Sequence, residues 1–589
     1  MLLPYVNEIP TSRDMLDVFR GYNHNLRTGN GEFYDMKNLT STHYPILSPR
    51  PQRGIYAPIE GEINPQGLIA KDSLAYIDGS YFVLNEYRVD LGLSTAADDC
   101  PKTLVSMGAY VIILPDKKWI NTADLSECGD IEASFTLRES DTVTFTLSKS
   151  DGTGYDDTTV SEYEPSDPTN MDYWIDTSTT PATLKQYSTT SAMWIPIATT
   201  YIRISAPGIG KAFEQYDGVK ISGILDESLS DLNNTMVIWA KGDDYIVVTG
   251  ILDSVIEQSG SEGVITVSRE MPLLDFVTES GNRLWGCRYG VAANGEVVNE
   301  IYASKLGDFK NWNCFMGIST DSYAASVGTD GQFTAAVTHL GYPMFFKETC
   351  VHKVYGSYPS AYQVQTTNCR GVAKGSEKSL ATVNEVLYYK SRNGVCAYDG
   401  SLPVEVSSAL GDVSYSDAVG GQLGNKYYIS MKDLSGVYHL FAYDTAKGMW
   451  HREDNTQAIE FCNCRGELYY IDSDKSIKTI LGSGEKVSAP VEWMAETGII
   501  GTSMPDRKYI SKLLVRMSLD IGSRAMFFIQ YNSSGSFEPL FTARGSSLDT
   551  FTIPIKPKRC DHFRLRIEGV GDSKVYSITK TVEQGSDRA

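Results

Sequence analysis

Several common signals are missing from this 589-residue chain. It has no uninterrupted apolar run of about 18 residues, which excludes a membrane-spanning helix. Its opening, "MLLPYVNEIPTSRD", has neither a basic flank nor an apolar stretch, so no secretory leader is expected. Its ten cysteines follow no disulfide framework: only Cys462 and Cys464 stand close together, and C-x-x-C never occurs. Free thiols in a reducing cytoplasm are the expectation. Positive charge is short as well. Fifty-two Lys and Arg face 73 Asp and Glu, a net charge of −21. Tight binding to a phosphate backbone needs clustered cations, so this balance disfavours it. It suits a soluble protein and a surface that DNA passes without adhering. Helical periodicity is scarce throughout.

Strand signals are abundant. The chain has 36 Tyr and 51 Gly. Runs such as "AYVIIL", "YIVVTGIL", "EVLYYK", "KYYISM" and "ELYYID" alternate with turns such as "IDGSY" and "GQLGNKYY". One unit recurs, strand–turn–strand–turn–strand, often closing on Tyr-Asp or Ile-Asp. Copies cover residues 67–92, 102–124, 283–312, 335–356, 385–406, 426–453 and 459–480. Most lie roughly 40 residues apart, the period of propeller blades. In "YDTAKGMW", Tyr443 is expected to pack between blades and Asp444 to cap the turn.

The fold expected is all-β: a β-propeller of about seven blades, with six and eight as neighbouring counts, rather than a row of sandwiches. Residues 1–60 read as an extended arm, 61–129 as the first blades, and 130–270 as an inserted β domain. The remaining blades occupy 271–486, and a C-terminal β-sandwich occupies 487–589, ending in a polar tail. The last blade is expected to borrow an early strand, and Tyr388, Tyr428 and Tyr469 are expected to be buried.

Motifs that would carry chemistry fail in detail. "APGIGKAFEQ" has Ala212 where a phosphate loop needs Ser or Thr, and Phe213 where a dinucleotide loop needs Gly. The seven His form no H-E-x-x-H, and Cys462 with Cys464 lacks two further nearby ligands. The closest approach to a sialidase repeat, "SVGTDGQF", ends in Phe333 rather than Trp. No catalytic residue, metal or cofactor is therefore expected, and the chain reads as no enzyme. A basic island near the end holds Lys556, Lys558, Arg559, Arg564 and Arg566, with Arg507 and Lys508 nearby. It is either a solvated strand face or a docking face for an acidic neighbour.

Residues 19–50, "FRGYNHNLRTGNGEFYDMKNLTSTHYPILSPR", are too polar for a core helix and too irregular for a strand, yet they carry apolar anchors. Their segments "GYN" (21–23), "EFYDMKN" (32–38) and "PILSPR" (45–50) resemble the opening of phage virion proteins built on β-propellers. "ASKLGDFKNW" and "YDTAKGMW" fit the same group, the tail nozzle or packaged-DNA stabilisation proteins of short-tailed phages and related tail hubs. The resemblance covers the arm and the propeller. It implies a structural virion protein, assembled in the host bacterial cytoplasm into a homo-oligomeric ring, by family a hexamer, around the DNA exit channel. Its partners would be the portal and adaptor, other tail proteins including fibres, and passing genomic DNA without sequence-specific binding. Phe33, Tyr44 and Leu47 on the arm would bury against a neighbouring blade or subunit, and Arg559, Arg564 and Arg566 would face acidic patches. The alternatives are a propeller that binds a receptor or glycan, a carbohydrate-active enzyme, or a generic protein-binding scaffold.

Overall fold

The computed structural model describes residues 11–56, 64–156, 158–292, 295–484, 486–487, 489–502 and 507–584. The first ten residues and the last five of the polar tail lie outside that set. Among the described residues helix is limited to five short 3-10 turns, and no helix is long and apolar enough to cross a membrane.

The protein is all-β and of β-propeller type. Seven small blade sheets occur among the described residues, over 65–90, 103–130, 276–326, 335–368, 381–405, 415–452 and 458–479. Each is an antiparallel meander, the cheapest way to join four short strands through tight turns. The last is completed by Gly54–Tyr56, which pairs with Ile477–Thr479. An early strand thus closes the final blade, as expected from the sequence.

The residues divide into two compact units. In the first, the opening strands of four blades, Ala381–Val383, Tyr415–Leu423, Ala458–Cys464 and Pro65–Ala70, lie side by side in that order. Asn463 Nδ2 donates to the Gln422 carbonyl across one such contact (2.8 Å). Apolar faces fill the gaps between blades. Tyr428, Leu440 and Ala442 meet Leu468, Tyr470 and Ile480. Leu74, Tyr76 and Val83 meet Cys464, Ile471 and Ile477. Tyr388 and Tyr428 are buried, whereas Tyr469 is only half-buried and its neighbour Tyr470 takes the inward place. Asp444 caps its turn: it accepts from the Lys447 backbone N–H and pairs with the Lys447 ammonium (2.7 Å). Tyr443 lies between Trp450 of its own blade and Tyr388 of the preceding one.

The same unit holds the C-terminal strands. Lys508–Tyr531 is one 24-residue strand. Along one edge it pairs with Glu538–Ile553. Along the other it pairs first with Ser573–Gln584, over residues 508–519, and then with Phe563–Val570, over 524–531. This ribbon folds back on itself at 520–523, where the register breaks. Leu513, Val515 and Ile578 from one half face Phe527, Leu565 and Ile567 from the other across a small apolar cavity, making the two layers of a sandwich. Gly571 sits at the corner with φ +83°, and a Cβ there would stand 2.4 Å from Ser523 Oγ. Gly571→Val is expected to destabilise the sandwich by about 2 kcal/mol through backbone strain alone. A urea titration that leaves the midpoint unchanged would show that the corner yields freely.

In the second unit, residues 133–269 build their own core. Val143, Phe145, Ile202, Ile204, Phe213, Val219, Ile246 and Val267 are all buried together. Two sheets form this β domain, and a third small sheet, 158–196, belongs to the same segment. It is tied to the blade of 276–326 by buried polar bonds: Asn311 donates to Asp217 (2.8 Å) and accepts from the Gly218 backbone. The glycine-rich loop of 206–215 is a tight packing turn, because a Cβ on Gly210 would stand 2.0 Å from the Gly242 carbonyl.

Candidate functional site

The arm makes a dense set of polar contacts in the first unit. Gly21–Tyr22 pairs with the outer blade strand Met449–Arg452 through Tyr22 and Trp450. A Cβ on Gly21 would stand 2.4 Å from the Trp450 carbonyl, so only glycine permits this approach. Glu32–Lys37 runs parallel to Gly21–Tyr22 and antiparallel to Glu492–Thr497, which pairs with Phe563–Val570. The arm therefore joins a propeller blade and the sandwich into one continuous twelve-stranded sheet.

The polar residues of the three arm segments explain one another. Asn23 donates to Glu32 (2.5 Å), which also accepts from the Gly29 backbone (2.6 Å). Asp35 pairs with Arg452 (2.9 Å). Asn38 holds a positive φ of 57° and uses every polar group. Its N–H donates to the Glu453 carbonyl (2.6 Å), its Nδ2 to the Glu492 carbonyl (2.7 Å), and its Oδ1 accepts from Arg50 Nε (2.8 Å). Ser41 donates to Asp444 (2.5 Å).

A charge cluster lies beneath. Arg53 pairs with Glu453 (2.7 Å) and Asp454 (3.1 Å), donates to the Tyr470 hydroxyl (2.9 Å), and lies over the Tyr470 ring. Arg50 also reaches Asp454 (3.2 Å). Burial works against the Arg53 charge, but Asp454, Tyr470 and Glu453 outweigh it and hold the guanidinium's pKa above its ordinary value. Burial likewise opposes charge on Asp454, yet Arg53 and Arg50 keep its carboxyl below the usual range. Two arm cations are thereby neutralised by two blade carboxylates.

His451 lies in the same blade strand, with the Gly21 backbone close to its ring. Burial first, then the Lys426 ammonium, push its pKa down to about 3; Asp444 opposes them, and the Lys447 ammonium adds a smaller push downward. The folded protein therefore keeps His451 neutral, while the unfolded chain protonates it near 6.5. The resulting stability is complete above pH 6.5 and drains away as pH falls toward 3. The slope from this residue is at most about 1.4 kcal/mol per pH unit. His451→Gln is expected to flatten denaturation midpoints over that window; an unchanged slope would assign the pH response elsewhere.

The residues singled out from sequence separate into three situations. Phe33 and Leu47 are buried inside their own chain, 1% and 3% exposed, and the Leu47 backbone pairs with Val575. Both pack in a core that also holds Trp450, Ala495 and Val575. Tyr44 is 41% exposed, near the Lys447 ammonium. Arg564 and Arg566 both pair with Glu496 (3.4 and 2.6 Å) and lie over the rings of Tyr34 and Phe537. Arg559 is exposed. Arg53, Glu453 and Asp454 were not singled out from the sequence, and Tyr470 was marked only as part of the strand run "ELYYID". No group of three or more His, Cys, Asp or Glu could hold a metal ion among the described residues. The ten cysteines are all free, and burial raises the Cys462 thiol.

No family model and no curated protein matches the chain. Among solved structures it is similar to an exo-β-1,3-galactanase from Phanerochaete chrysosporium, at 9% identity and TM-score 0.21, covering 52% of this chain and 94% of the other. It is similar to PorZ, a surface component of the type-IX secretion system of Porphyromonas gingivalis, at 12% identity and TM-score 0.26, covering 89% and 71%. A Trypanosoma rangeli sialidase aligns at 9% identity and TM-score 0.20, covering 97% and 95%. At such scores the likeness carries no argument about mechanism, and the blade sheets stand on their own geometry. One expectation is corrected all the same. The reading of the chain as no enzyme is withdrawn: glycoside hydrolases and a sialidase are among the similar structures, a likeness that assigns this chain no activity and excludes none.

Proposed function

We propose that this chain is a structural subunit of a phage tail, forming a nozzle or hub ring around the DNA exit channel. The observation that carries the reading is the arm clamp. The segments "GYN", "EFYDMKN" and "PILSPR", which resemble virion propeller proteins, supply the residues that weld blade to sandwich: Gly21, Asn23, Glu32, Asp35, Asn38 and Arg50. Such a weld suits a part that must transmit load without opening. The net charge of −21 keeps passing DNA from adhering. Electron microscopy of the purified protein, alone and with a portal–adaptor complex, tests the assembly; rings support the reading. Mixing with duplex DNA at low salt tests the channel, where electrostatic binding is strongest. Tight, salt-sensitive binding would overturn a passive channel.

A second reading is a propeller that binds or cleaves glycans. Glycoside hydrolases and a sialidase are among the structures similar to this chain, at TM-scores too low to argue from. A glycan array together with a reducing-sugar release assay decides it: binding or turnover would replace the structural reading.

A further inference from the structure

We propose that this chain has a binding site for a small polyhydroxylated anion, a sugar acid or sugar phosphate, in a cleft between the blades of 381–405 and 415–452. Lys390 at its base and Arg392 at its rim hold the anionic group. The site goes beyond a load-bearing role, and it gives the glycan-binding reading a place and a charge.

The cleft has a volume of about 510 Å³, within the range of small-molecule pockets. One wall is the turn between the strands Val386–Lys390 and Val395–Tyr398. Another is the connection that leads to the next blade, and Tyr415 and Met431 of that blade complete it. Hydrogen bonds fix these walls. Ser391 donates to the Gly394 carbonyl through its backbone N–H (2.7 Å) and through its hydroxyl (2.9 Å). Ser407 Oγ accepts from the Val395 N–H (3.0 Å). The arm pins the connection: Asn25 Nδ2 donates to the Ser408 carbonyl (2.9 Å), and the His24 N–H to the Ala409 carbonyl (2.8 Å). A cleft whose shape is fixed beforehand lowers the ordering cost of binding.

Lys390 is two residues from Tyr388 in its strand and so lies on the same side. Tyr388 stacks on Tyr427 of the next blade (5.4 Å), so Lys390 also faces the gap between the blades, where it is 3% exposed. An ammonium has three donors. Among the described residues this one makes a single hydrogen bond, to the Ser391 carbonyl (2.5 Å), and no ion pair. Glu405 also lines the cleft, but Arg370 (2.7 Å) and Ser407 (3.2 Å) engage its carboxylate. Burial lowers the Lys390 pKa below the ordinary lysine value, and Cys396 and Glu405 offset this only in part. A buried cation without a counter-ion is costly, and an incoming anion removes that cost. Arg392 is exposed on the same cleft and likewise makes no ion pair among the described residues. Inorganic phosphate alone would leave most of the volume empty. The amides and hydroxyls of Asn25, Asn393, Ser408 and Ser414 in the lining suit a hydroxylated body. Asp412 and Glu405 oppose a second negative group, so the ligand carries its charge at one end.

Isothermal titration of the full-length protein with glucuronate, glucose 6-phosphate, glucose and inorganic phosphate tests the site. Glucuronate or glucose 6-phosphate is expected to bind with a Kd of about 1 mM or tighter, and the better of the two identifies the head group as carboxylate or phosphate. Glucose and inorganic phosphate are each expected to bind at least about tenfold more weakly. Lys390→Met should weaken binding of the anion by about tenfold or more, yet leave the urea midpoint unchanged or higher, because an apolar side chain of similar length needs no counter-ion. Arg392→Gln changes an exposed residue and should weaken binding about threefold; it carries the test if Lys390→Met does not fold. Glucose binding as tightly as either anion overturns the site, and so does inorganic phosphate matching glucose 6-phosphate. Affinities that neither substitution changes overturn it too. Neutral glycans bound on an array, with neither anion bound in the millimolar range, overturn this site and leave the glycan reading standing.

Discussion

Arg53→Ala is expected to cost about 3–5 kcal/mol, because it removes the close partner of buried Glu453 (2.7 Å) and leaves that carboxylate only the longer contact to Arg50 (3.7 Å). The Glu453 side chain is 2% exposed, so water cannot replace the guanidinium without opening the blade. The Tyr470 hydroxyl loses its donor in the same step. Hydrogen exchange should report the loss locally, with protection falling at Tyr22, Trp450 and the Gly54–Tyr56 ladder before the blade of 65–90 is affected. Arg53→Met combined with Glu453→Gln should regain much of the lost stability, since it leaves neutral groups of similar volume and keeps the Arg50–Asp454 pair (3.2 Å) intact. If the single substitution leaves the denaturation midpoint within about 0.5 kcal/mol of the parent, the size expected of a neutral surface change, the cluster is solvated and does not hold the arm.

Phe33→Ala is expected to cost a similar amount, about 3–5 kcal/mol, by emptying a site at the centre of the sandwich. The ring borders the cavity between the two layers, together with Leu513, Val515, Phe527 and Ile567, and stacks on Phe19 at 5.9 Å. The loss should be the same at every protein concentration. A side chain that stabilised by inserting into another subunit would instead give a loss that grows as the protein is concentrated, because association is linked to stability by mass action. A concentration-dependent effect would therefore return Phe33 to an inter-subunit role.

The blades were legible because their cause is local. Alternating apolar residues, tight turns and a period near 40 residues all act within one meander. The face of an individual strand was less so. "ELYYID" offers two adjacent tyrosines, and a run apolar on both faces does not say which one points inward. The structure turns Tyr470 in, where Arg53 meets its hydroxyl, and leaves Tyr469 half-buried. The long C-terminal strand was hidden for a related reason. "KYISKLLVRMSL" and "RAMFFIQYN" read as two strands because Gly522 falls between them. The turn between Phe563–Val570 and Ser573–Gln584 places Gly571 beside Ser523 at the same corner, and the long strand continues through it. The clamp itself could not be seen. Arg53 and Tyr470 are 417 positions apart, and no local pattern links residues at that distance.

That separation also sets a timetable. Chains leave the ribosome at roughly 5–20 residues per second, so the partners of the arm emerge roughly 20–80 seconds after the arm does. Through that interval Arg50, Arg53, Phe33 and the strand Gly54–Tyr56 have none of the blade or sandwich groups they meet in the folded chain. Loop closure over some 400 residues must then precede any reward from the contact, which makes this a slow step. The order of synthesis thus becomes a checkpoint: a chain that stops before Glu453 cannot seat its arm, and truncated products would present an unsatisfied, partly apolar N-terminus to the cell's chaperones and proteases.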